Sequence, residues 1–343
     1  MNLNKILIYL LFFILPFGQL ERFPGLPLYL HDLVIILLIT LNIKFLNFSR
    51  PTLWFLASAG LSLILALFKL PFNQILFSSL YLFRWLAYAC LLPIYQHLKL
   101  DLKPLLKYLC LVLAVFGIFQ YLLVPDTRFL AGLNWDDHYY RLISTVFDPN
   151  YLGLIFVLGL ILFNLQLLPS LILFTALLFT YSRSSYLALI IVGLYLAIIK
   201  KKFKIFIFAL FAFIFALYFL PRPGGEGVKL ERWFSVEQRL ANYKESFQLI
   251  KLSPVFGLGF NTLRYYRNDF VSHAAAGLDS SLLFVFATTG IFGLIFYLNL
   301  VRNLWPTSAL VKLSLMAILV HSLFQNSLFY PLIMIWLWSV VYF

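Results

Sequence analysis

The sequence predicts an all-α membrane protein: a polytopic helix bundle of about twelve transmembrane helices with one long outer loop. Hydrophobic residues make up 63% of the 343 residues. They occur in runs near the length that a helix needs to cross a bilayer, and the few charged residues concentrate in the connections between runs. Because no polar stretch is long enough to fold alone, the whole chain is expected to form one integrated membrane domain.

The apolar runs define the expected spans in chain order. They are 4–20, 27–43, 52–69, 74–96, 104–124, 149–166, 168–182, 185–199, 204–220, 281–300, 306–323 and 326–343. The chain thus divides into a bundle of about nine spans over 1–220, an extracytoplasmic loop over 221–280 and a last group of three spans over 281–343.

The distribution of basic residues predicts the orientation. Cytoplasmic connections carry the excess of Lys and Arg in membrane proteins. With the N-terminus inside, the inner connections hold one acid, Asp101, beside a large set of basic residues: Lys5, Lys44, Arg50, Lys99, Lys103, Lys107, Lys200, Lys201, Lys202, Lys204, Arg302 and Lys312. Both termini are therefore expected in the cytoplasm. The net charge of +13 is mainly a topology signal, so nucleic acid is not an expected partner.

The stretch "TYSRSSYLAL" interrupts a long apolar run with Arg183. If residues 168–199 formed one span, the basic cluster "KKFK" would face outward. A break at "SRSS" returns that cluster to the inside and places Arg183 at a tight turn near the outer surface. Two interpretations stay open here: an interfacial arginine that reaches lipid headgroups, or an arginine that binds a ligand.

The long outer segment 221–280 contains a predicted helix. Ser235 and Gln238 have the spacing of a capping box, and Pro254 ends the pattern. Apolar residues recur at helical spacing: Val236, Leu240, Tyr243, Phe247 and Ile250. This pattern predicts an amphipathic helix that lies on the outer surface. Gly257 and Gly259, which follow it, are suited to a tight backbone turn.

Several arginines are expected to face outward. They are Arg141, Arg183, Arg239, Arg264 and Arg267. The guanidinium fork matches phosphate oxygens, and several such groups around an outer cavity can hold a diphosphate without a metal. The alternative is pairing with loop carboxylates such as Glu231 or Glu237, which we favour for Arg264 and Arg267.

Four segments carry a resemblance to a known family. They are "RLISTVFDPNYLGL", "TYSRSSYLAL", "RLANYKESFQLIKLSPVFGLGFNTL" and "DSSLLFVFATTGIFGLIFYL". In this order they resemble the O-antigen ligase and O-antigen polymerase superfamily, from about residue 140 onward. The closing "HSLFQNSLFYPLIMIWLW" is similar to the last spans of that family, whereas the N-terminal third matches it only in hydropathy.

The resemblance implies a glycosyltransferase of the bacterial plasma (inner) membrane. Such enzymes take a glycan from an undecaprenyl-diphosphate carrier on the outer face and pass it to a hydroxyl of a glycan, lipid or cell-wall acceptor. It implies that Arg183 and Arg239 hold the donor diphosphate, with Arg141 as a third candidate. No cofactor and no metal are expected, and membrane lipids surround the bundle.

One position departs from the family pattern. The family carries a His-Asn pair before the span that reads "LLFVFATTGIFG", and its histidine is thought to activate the acceptor hydroxyl. Here the place is taken by Asp279-Ser280, with His273 six residues upstream. Asp279 is either a base that orients the acceptor hydroxyl or the N-cap of the next helix. His273 is the second candidate base.

Other readings compete with this one. Asp136 and Asp137 in "WDDH" are candidates for a metal site of the kind used by metal-dependent oligosaccharyltransferases, although adjacent loop acids are more often solvated. A transporter or lipid-linked glycan flippase would also have about twelve helices, but such folds usually contain internal repeats, and none is visible in this sequence.

Arg84, inside a span, must face the protein interior, and we favour a structural ion pair for it over a role in a lipid path. Cys90 and Cys110 lie in apolar runs and define no disulfide or metal-ligand pattern.

Overall fold

The computed structural model describes residues 3–23, 28–133, 135–164, 166–269, 275, 277–305 and 308–342. Helix accounts for 76% of the structure, and the described residues form no β-strand beyond isolated bridges such as Arg22–Tyr29. The predicted all-helical fold is therefore confirmed. One apolar core runs through the bundle and joins residues from the first helix to the last.

Fifteen α-helices are present in the described part of the chain. They are α1 Leu3–Ile14, α2 Leu30–Asn42, α3 Arg50–Ala66, α4 Phe72–Ala89, α5 Leu91–Leu98, α6 Lys103–Leu123, α7 Pro149–Phe163, α8 Leu167–Phe179, α9 Arg183–Lys200, α10 Phe203–Tyr218, α11 Phe234–Leu252, α12 Leu263–Arg267, α13 Ser281–Leu304, α14 Ala309–Ser322 and α15 Pro331–Val341.

Every expected span coincides with at least one of these helices. Among the described residues, five helical segments are long and apolar enough to cross a membrane: Leu3–Glu21, Phe72–Leu98, Lys103–Leu123, Arg183–Lys200 and Ser281–Leu304. Shorter apolar helices coincide with six more of the expected spans. The protein is thus a helical membrane protein, and the figure of about twelve spans stays a prediction.

The break at "SRSS" is present. Helix α8 ends at Phe179 and α9 begins at Arg183, with Tyr181 in the left-handed region between them at φ 51°. The Ser182 hydroxyl caps α9 by accepting from the backbone N–H of Ser185 at 3.4 Å. This local chemistry explains why an otherwise continuous apolar run divides into two helices.

The loop helix α11 forms where the sequence predicts it, but its orientation differs from the prediction. It begins at Phe234 with Trp233 as the N-cap, so the predicted capping box with Ser235 as the cap is wrong. Leu240 and Phe247 are each 54% exposed, whereas Ser246 on another side of the helix is fully buried.

The physical reason is that α11 turns polar groups toward the protein. Asn242 accepts a hydrogen bond from the backbone N–H of Asp279 at 3.0 Å, and Glu245 pairs with Arg267 at 2.7 Å. Ile250 of the predicted apolar face is nevertheless buried, whereas Leu240 and Phe247 are exposed, so the packed side of α11 is only partly the predicted one.

The segment after α11 inserts against the middle of α13. Leu258 and Gly259 donate backbone hydrogen bonds to the carbonyls of Ala287 and Thr288 at 2.9 and 3.0 Å, and Ile291 donates to Pro254 at 2.9 Å. Gly257 and Gly290 both have positive φ, 75° and 70°, and the helix α13 bends at Gly290. Because a side chain at Gly257 would collide with the Thr288 backbone, glycine is required for this contact, which fixes the end of α11 in the bundle.

Arg84 makes the structural ion pair that we favoured for it. Its guanidinium lies 2.8 Å from the Asp32 carboxylate and 5.2 Å from the centroid of the Tyr29 ring. The Tyr88 hydroxyl donates to the other Asp32 oxygen at 2.6 Å, and His31 bridges Tyr88 and Glu21. This buried network ties α2 to α4, and removal of one charged partner of such a pair typically costs about 3–5 kcal/mol.

Candidate functional site

Arg183 is the first residue of α9, and its guanidinium reaches the loop before α11. Its Nη1 donates to the backbone carbonyls of Leu230 and Arg232 at 3.2 and 3.1 Å. The helix N-terminus on which it stands adds a partial positive charge of its own. Arg183 therefore lies on a fixed turn beside the outer loop, in a place that favours negative charge.

Arg141 lies beneath the same turn and is only 6% exposed. Its Nε donates to the Thr180 carbonyl at 2.9 Å, and its Nη2 donates to the Asn150 side-chain oxygen at 3.5 Å. Burial, and then the nearby Arg232 guanidinium, lower the pKa of Arg141 below its ordinary value. The surroundings thus disfavour this cation, and an anion bound close by would stabilise it.

The N-termini of α7 and α9 meet beside these arginines. Asp148 caps α7 by accepting from the backbone N–H groups of Asn150 and Tyr151 at 2.6 and 3.2 Å. The Ser185 hydroxyl, in the first turn of α9, donates to the Asn150 carbonyl at 3.1 Å. Burial raises the pKa of Asp148, although these N–H groups and Arg141 oppose the shift. Two helix dipoles therefore direct their positive ends toward one region.

Arg239 projects from the first half of α11 into the same region. Its guanidinium lies 5.6 Å from the centroid of the Phe324 ring, and it interacts electrostatically with Arg141, Arg232 and Asp279. The structure thus brings together Arg141, Arg183 and Arg239, which the sequence had singled out from three separate segments.

Arg232 is a fourth member of the cluster that the sequence interpretation missed. Its Nη1 donates to the Gly227 and Lys229 carbonyls at 2.6 and 2.8 Å. Burial, followed by Arg183 and Arg239, lowers the pKa of Arg232 to about 10. The adjacent Glu231 does not pair with it, because the Glu231 carboxylate lies 3.2 Å from the Arg222 guanidinium.

The cluster has little carboxylate to balance it. Among the ion pairs of the described residues, none includes Arg141, Arg232 or Arg239. Among the described residues, the hydrogen bonds of Arg141 and Arg232 go to neutral oxygens, and the nearby carboxylates Asp148 and Asp279 are fewer than the four arginines, so positive charge is in excess. A site with this balance attracts an anion with several oxygen acceptors, such as a diphosphate.

Asp279 lies next to this cluster and does not cap the following helix. The N-cap of α13 is Ser280, whose hydroxyl accepts from the Leu283 N–H at 3.5 Å. Burial raises the pKa of Asp279, while Arg239 and Arg267 oppose the rise. The capping interpretation of Asp279 is therefore wrong, and its role as a base stays a prediction.

The other sequence candidates are placed as follows. His273 lies outside the residues that the structure describes. Arg267 pairs with Glu245 and donates to the Ala275 and Gly277 carbonyls, as its expected structural role requires, although with a different carboxylate from those anticipated. Arg264 has no carboxylate partner within the described ranges and lies 5.6 Å from the centroid of the Phe77 ring.

Asp136 and Asp137 are exposed in the first outer loop. Among the residues with a described placement, no three His, Cys, Asp or Glu side chains come together in a way that could hold a metal ion. The two cysteines, Cys90 and Cys110, are buried and free.

His321, at the end of α14, is a second residue that the sequence did not single out. It is fully buried, and its Nδ1 lies 2.6 Å from the Ser327 hydroxyl. Its Nε2 has no hydrogen-bond partner among the described residues, and the ring interacts electrostatically with Arg239. The Ser327 contact helps to fix the connection 323–330, which carries the Phe324 ring beneath Arg239.

The comparison with protein families gives one match. Residues 168–298 match the family model described as O-antigen ligase. This range contains α8 to α11 and most of α13, with Arg183, Arg232, Arg239 and Asp279, so the resemblance to the O-antigen ligase superfamily is confirmed over these elements. A search of curated proteins gave no match to the chain.

Proposed function

From the similarity of residues 168–298 to O-antigen ligases, which indicates glycosyl transfer of the ligase or polymerase type, we propose a specific reaction. The protein transfers a glycan from an undecaprenyl-diphosphate-linked donor to an acceptor hydroxyl on the outer face of the bacterial plasma membrane. The acceptor belongs to a glycan, a lipid or a cell-wall polymer. The observation that carries the proposal is the cluster of Arg141, Arg183, Arg232 and Arg239 beside Asp279, on the region that the family match covers.

The proposed mechanism follows from the negative charge that develops on the diphosphate leaving group. The acceptor hydroxyl oxygen attacks the anomeric carbon of the donor, and a new carbon–oxygen bond forms as the bond to the diphosphate oxygen breaks. The electron pair of that bond leaves with the diphosphate, whose negative charge therefore grows in the transition state. Guanidinium groups fixed beside that oxygen stabilise the developing charge without reorganisation, which is the role we assign to Arg183 and Arg239.

Asp279 takes the hydroxyl proton in this scheme. A carboxylate with a raised pKa is better matched to proton transfer near neutral pH than an ordinary one. Its position one residue before Ser280, the N-cap of α13, with its backbone held by Asn242, supports this assignment. The diphosphate is a good leaving group, so the scheme needs no general acid.

The test of the proposed function is the product itself. Purified protein, given an undecaprenyl-diphosphate glycan and a panel of acceptors, should yield an acceptor heavier by the mass of the glycan, together with free undecaprenyl diphosphate, in a mass spectrum. Net movement of the intact donor across a liposome bilayer, without any covalent product from any acceptor, would instead identify a flippase or transporter.

We expect the reaction to be independent of divalent metals. Transfer measured in excess EDTA should proceed within about twofold of the untreated rate, because the guanidinium groups supply the charge that a metal would otherwise provide. The matched variant Asp136→Ala/Asp137→Ala should behave like the parent. If EDTA abolishes transfer and added magnesium or manganese restores it, the metal-free mechanism is wrong.

The proposal also fixes an orientation, with both termini cytoplasmic and the loop 221–280 outside. A cysteine in place of Glu226, whose side chain is 68% exposed, should react with a membrane-impermeant thiol reagent applied to the outer face. A cysteine in place of Lys202 should react only after the membrane is opened. Background labelling should be low because Cys90 and Cys110 are buried. Labelling at Lys202 alone from the outer face would reverse the orientation.

A further inference from the structure

The segment Glu226–Arg232, here called the strap, contacts two arginines of the cluster: Arg183 from outside the strap, and Arg232, which stands at the end of the strap and folds back on it. Arg183 donates to the carbonyls of Leu230 and Arg232, and Arg232 donates to those of Gly227 and Lys229. Four backbone carbonyls of the strap therefore accept hydrogen bonds from guanidinium groups of the candidate site.

Two further contacts complete the attachment of the strap. Gly227 lies against Arg141, so closely that a Cβ atom at this glycine would be 2.8 Å from the Arg141 Cδ. Val228 is buried in a small apolar cluster with Tyr181 and Leu220. Val228 thus anchors the strap through apolar packing. The arginines contact the strap through hydrogen bonds to neutral carbonyl oxygens.

A phosphate group can displace these arginine–carbonyl hydrogen bonds. A hydrogen bond from a guanidinium to an ionised oxygen is roughly twice as strong as one in which both groups are neutral, and arginine can form it with two parallel N–H groups. Burial and the neighbouring Arg183 and Arg239 lower the pKa of Arg232, so this cation lies where an anion would relieve the repulsion. Neutral carbonyl groups relieve it less.

We propose that Arg232 is a further ligand of the donor diphosphate, and that the strap gives up its carbonyl contacts to the arginines when the diphosphate binds. In the empty enzyme these carbonyls occupy the guanidinium groups of Arg183 and Arg232, and in the loaded enzyme residues 226–231 move aside while Arg232 stays at the diphosphate. This inference rests on the proposed function, since it assumes a diphosphate-linked donor.

The experiment uses three variants of the full-length protein in detergent, with undecaprenyl diphosphate as the probe. Arg232→Ala removes the side chain proposed to bind the diphosphate and also loosens the strap. Val228→Ala loosens the strap but keeps Arg232. Arg128→Ala is the control, because Arg128 is exposed, lies on a different loop and pairs with Asp126 outside the strap. The affinity for the probe and the hydrogen exchange of residues 226–232 are measured, and thermal unfolding checks that each variant is folded.

We expect the probe to speed hydrogen exchange in the strap of the parent protein. Arg232→Ala should weaken binding of the probe about tenfold, the effect of losing one charged hydrogen-bonding partner. Val228→Ala should bind the probe as tightly as the parent or more tightly, because its strap opens more easily. Arg128→Ala should stay within about twofold of the parent.

The direction of the Arg232→Ala effect separates the two roles of this residue. If Arg232 only fastened the strap, its removal would leave the affinity unchanged or improve it, and this result would overturn the inference while glycan transfer by the parent upheld the proposed function. Slower exchange of the strap with the probe bound would also contradict it. A parent protein that neither retains the probe nor transfers glycan would overturn the proposed function and the inference together.

Discussion

Arg183→Ala and Arg239→Ala should each reduce glycan transfer by about 10²-fold or more, the usual cost of removing a group that stabilises charge in a transition state. The two side chains come from different elements, the start of α9 and the first half of α11, and both belong to one electrostatic cluster. Lysine at either position should restore little activity, because it keeps the charge but loses the two-pronged geometry that matches phosphate oxygens. Turnover is measured at matched amounts of membrane-inserted protein.

The double variant sharpens this prediction. If both arginines grip one diphosphate, Arg183→Ala/Arg239→Ala should be little worse than either single variant, because residues that act as a unit are not additive. The control is Arg128→Ala, since Arg128 is an exposed arginine of the first outer loop that pairs with Asp126 at 2.6 Å, and it should transfer glycan at the parental rate. Parental turnover by Arg183→Ala would mean that this arginine is only an interfacial anchor, and the site would have to be moved.

The sequence was sufficient for those features of the fold that depend on local patterns. Runs of apolar residues mark the helices because burial of apolar surface and hydrogen bonding within each segment dominate in a bilayer. The break between α8 and α9 could be predicted because a single helix would have placed the cluster "KKFK" on the side opposite to the one that the distribution of basic residues predicts. The Ser182 hydroxyl caps α9 by accepting a hydrogen bond from the Ser185 N–H, as a helix that begins at this break requires.

The features that the sequence did not predict depend on contacts between distant segments. The side of α11 that packs on the protein is set by its polar partners, Asp279 and Arg267, which are far along the chain. Arg232 carried no local signal of a role at the site, because only the fold brings it beside Arg183 and Arg239 while its neighbour Glu231 binds Arg222. His321 carried no local signal, since a single histidine at the end of an apolar helix has no distinguishing pattern.

For Asp279 the structure excludes one of the two roles that the sequence left open, the helix cap, and the role as a base stays a prediction. The two residues Asp279 and Ser280 are both favoured at helix N-termini, so sequence alone cannot assign the cap. In the structure the Ser280 hydroxyl accepts the hydrogen bond from the first turn of α13, and the Asp279 carboxylate lies near Arg239 and Arg267. The pair therefore offers matched variants, one for the cap and one for the carboxylate.

Asp279→Asn should lower turnover by about 10²-fold or more, the contribution typical of a positioned general base, because an amide of the same shape cannot accept the proton. Ser280→Ala should instead cost about 1 kcal/mol of stability, the usual loss of a helix cap, and leave turnover per folded molecule unchanged. Both are measured on purified protein with the unfolding midpoint as the check on stability. Asp279→Asn at the parental rate would remove the carboxylate from the mechanism.

The pH dependence of transfer tests the same carboxylate without removing it. Burial raises the pKa of Asp279 above the ordinary value of an aspartate, and the base works only when it is deprotonated. Activity should therefore fall as the pH drops through this raised pKa, by about tenfold per pH unit below it. Glu245 contributes to the rise, so Glu245→Gln should move the acidic limb of the rate profile to lower pH. The exposed Glu231→Gln serves as the control and should leave the limb in place, and a limb that stays fixed in Glu245→Gln would mean that a group other than Asp279 controls it.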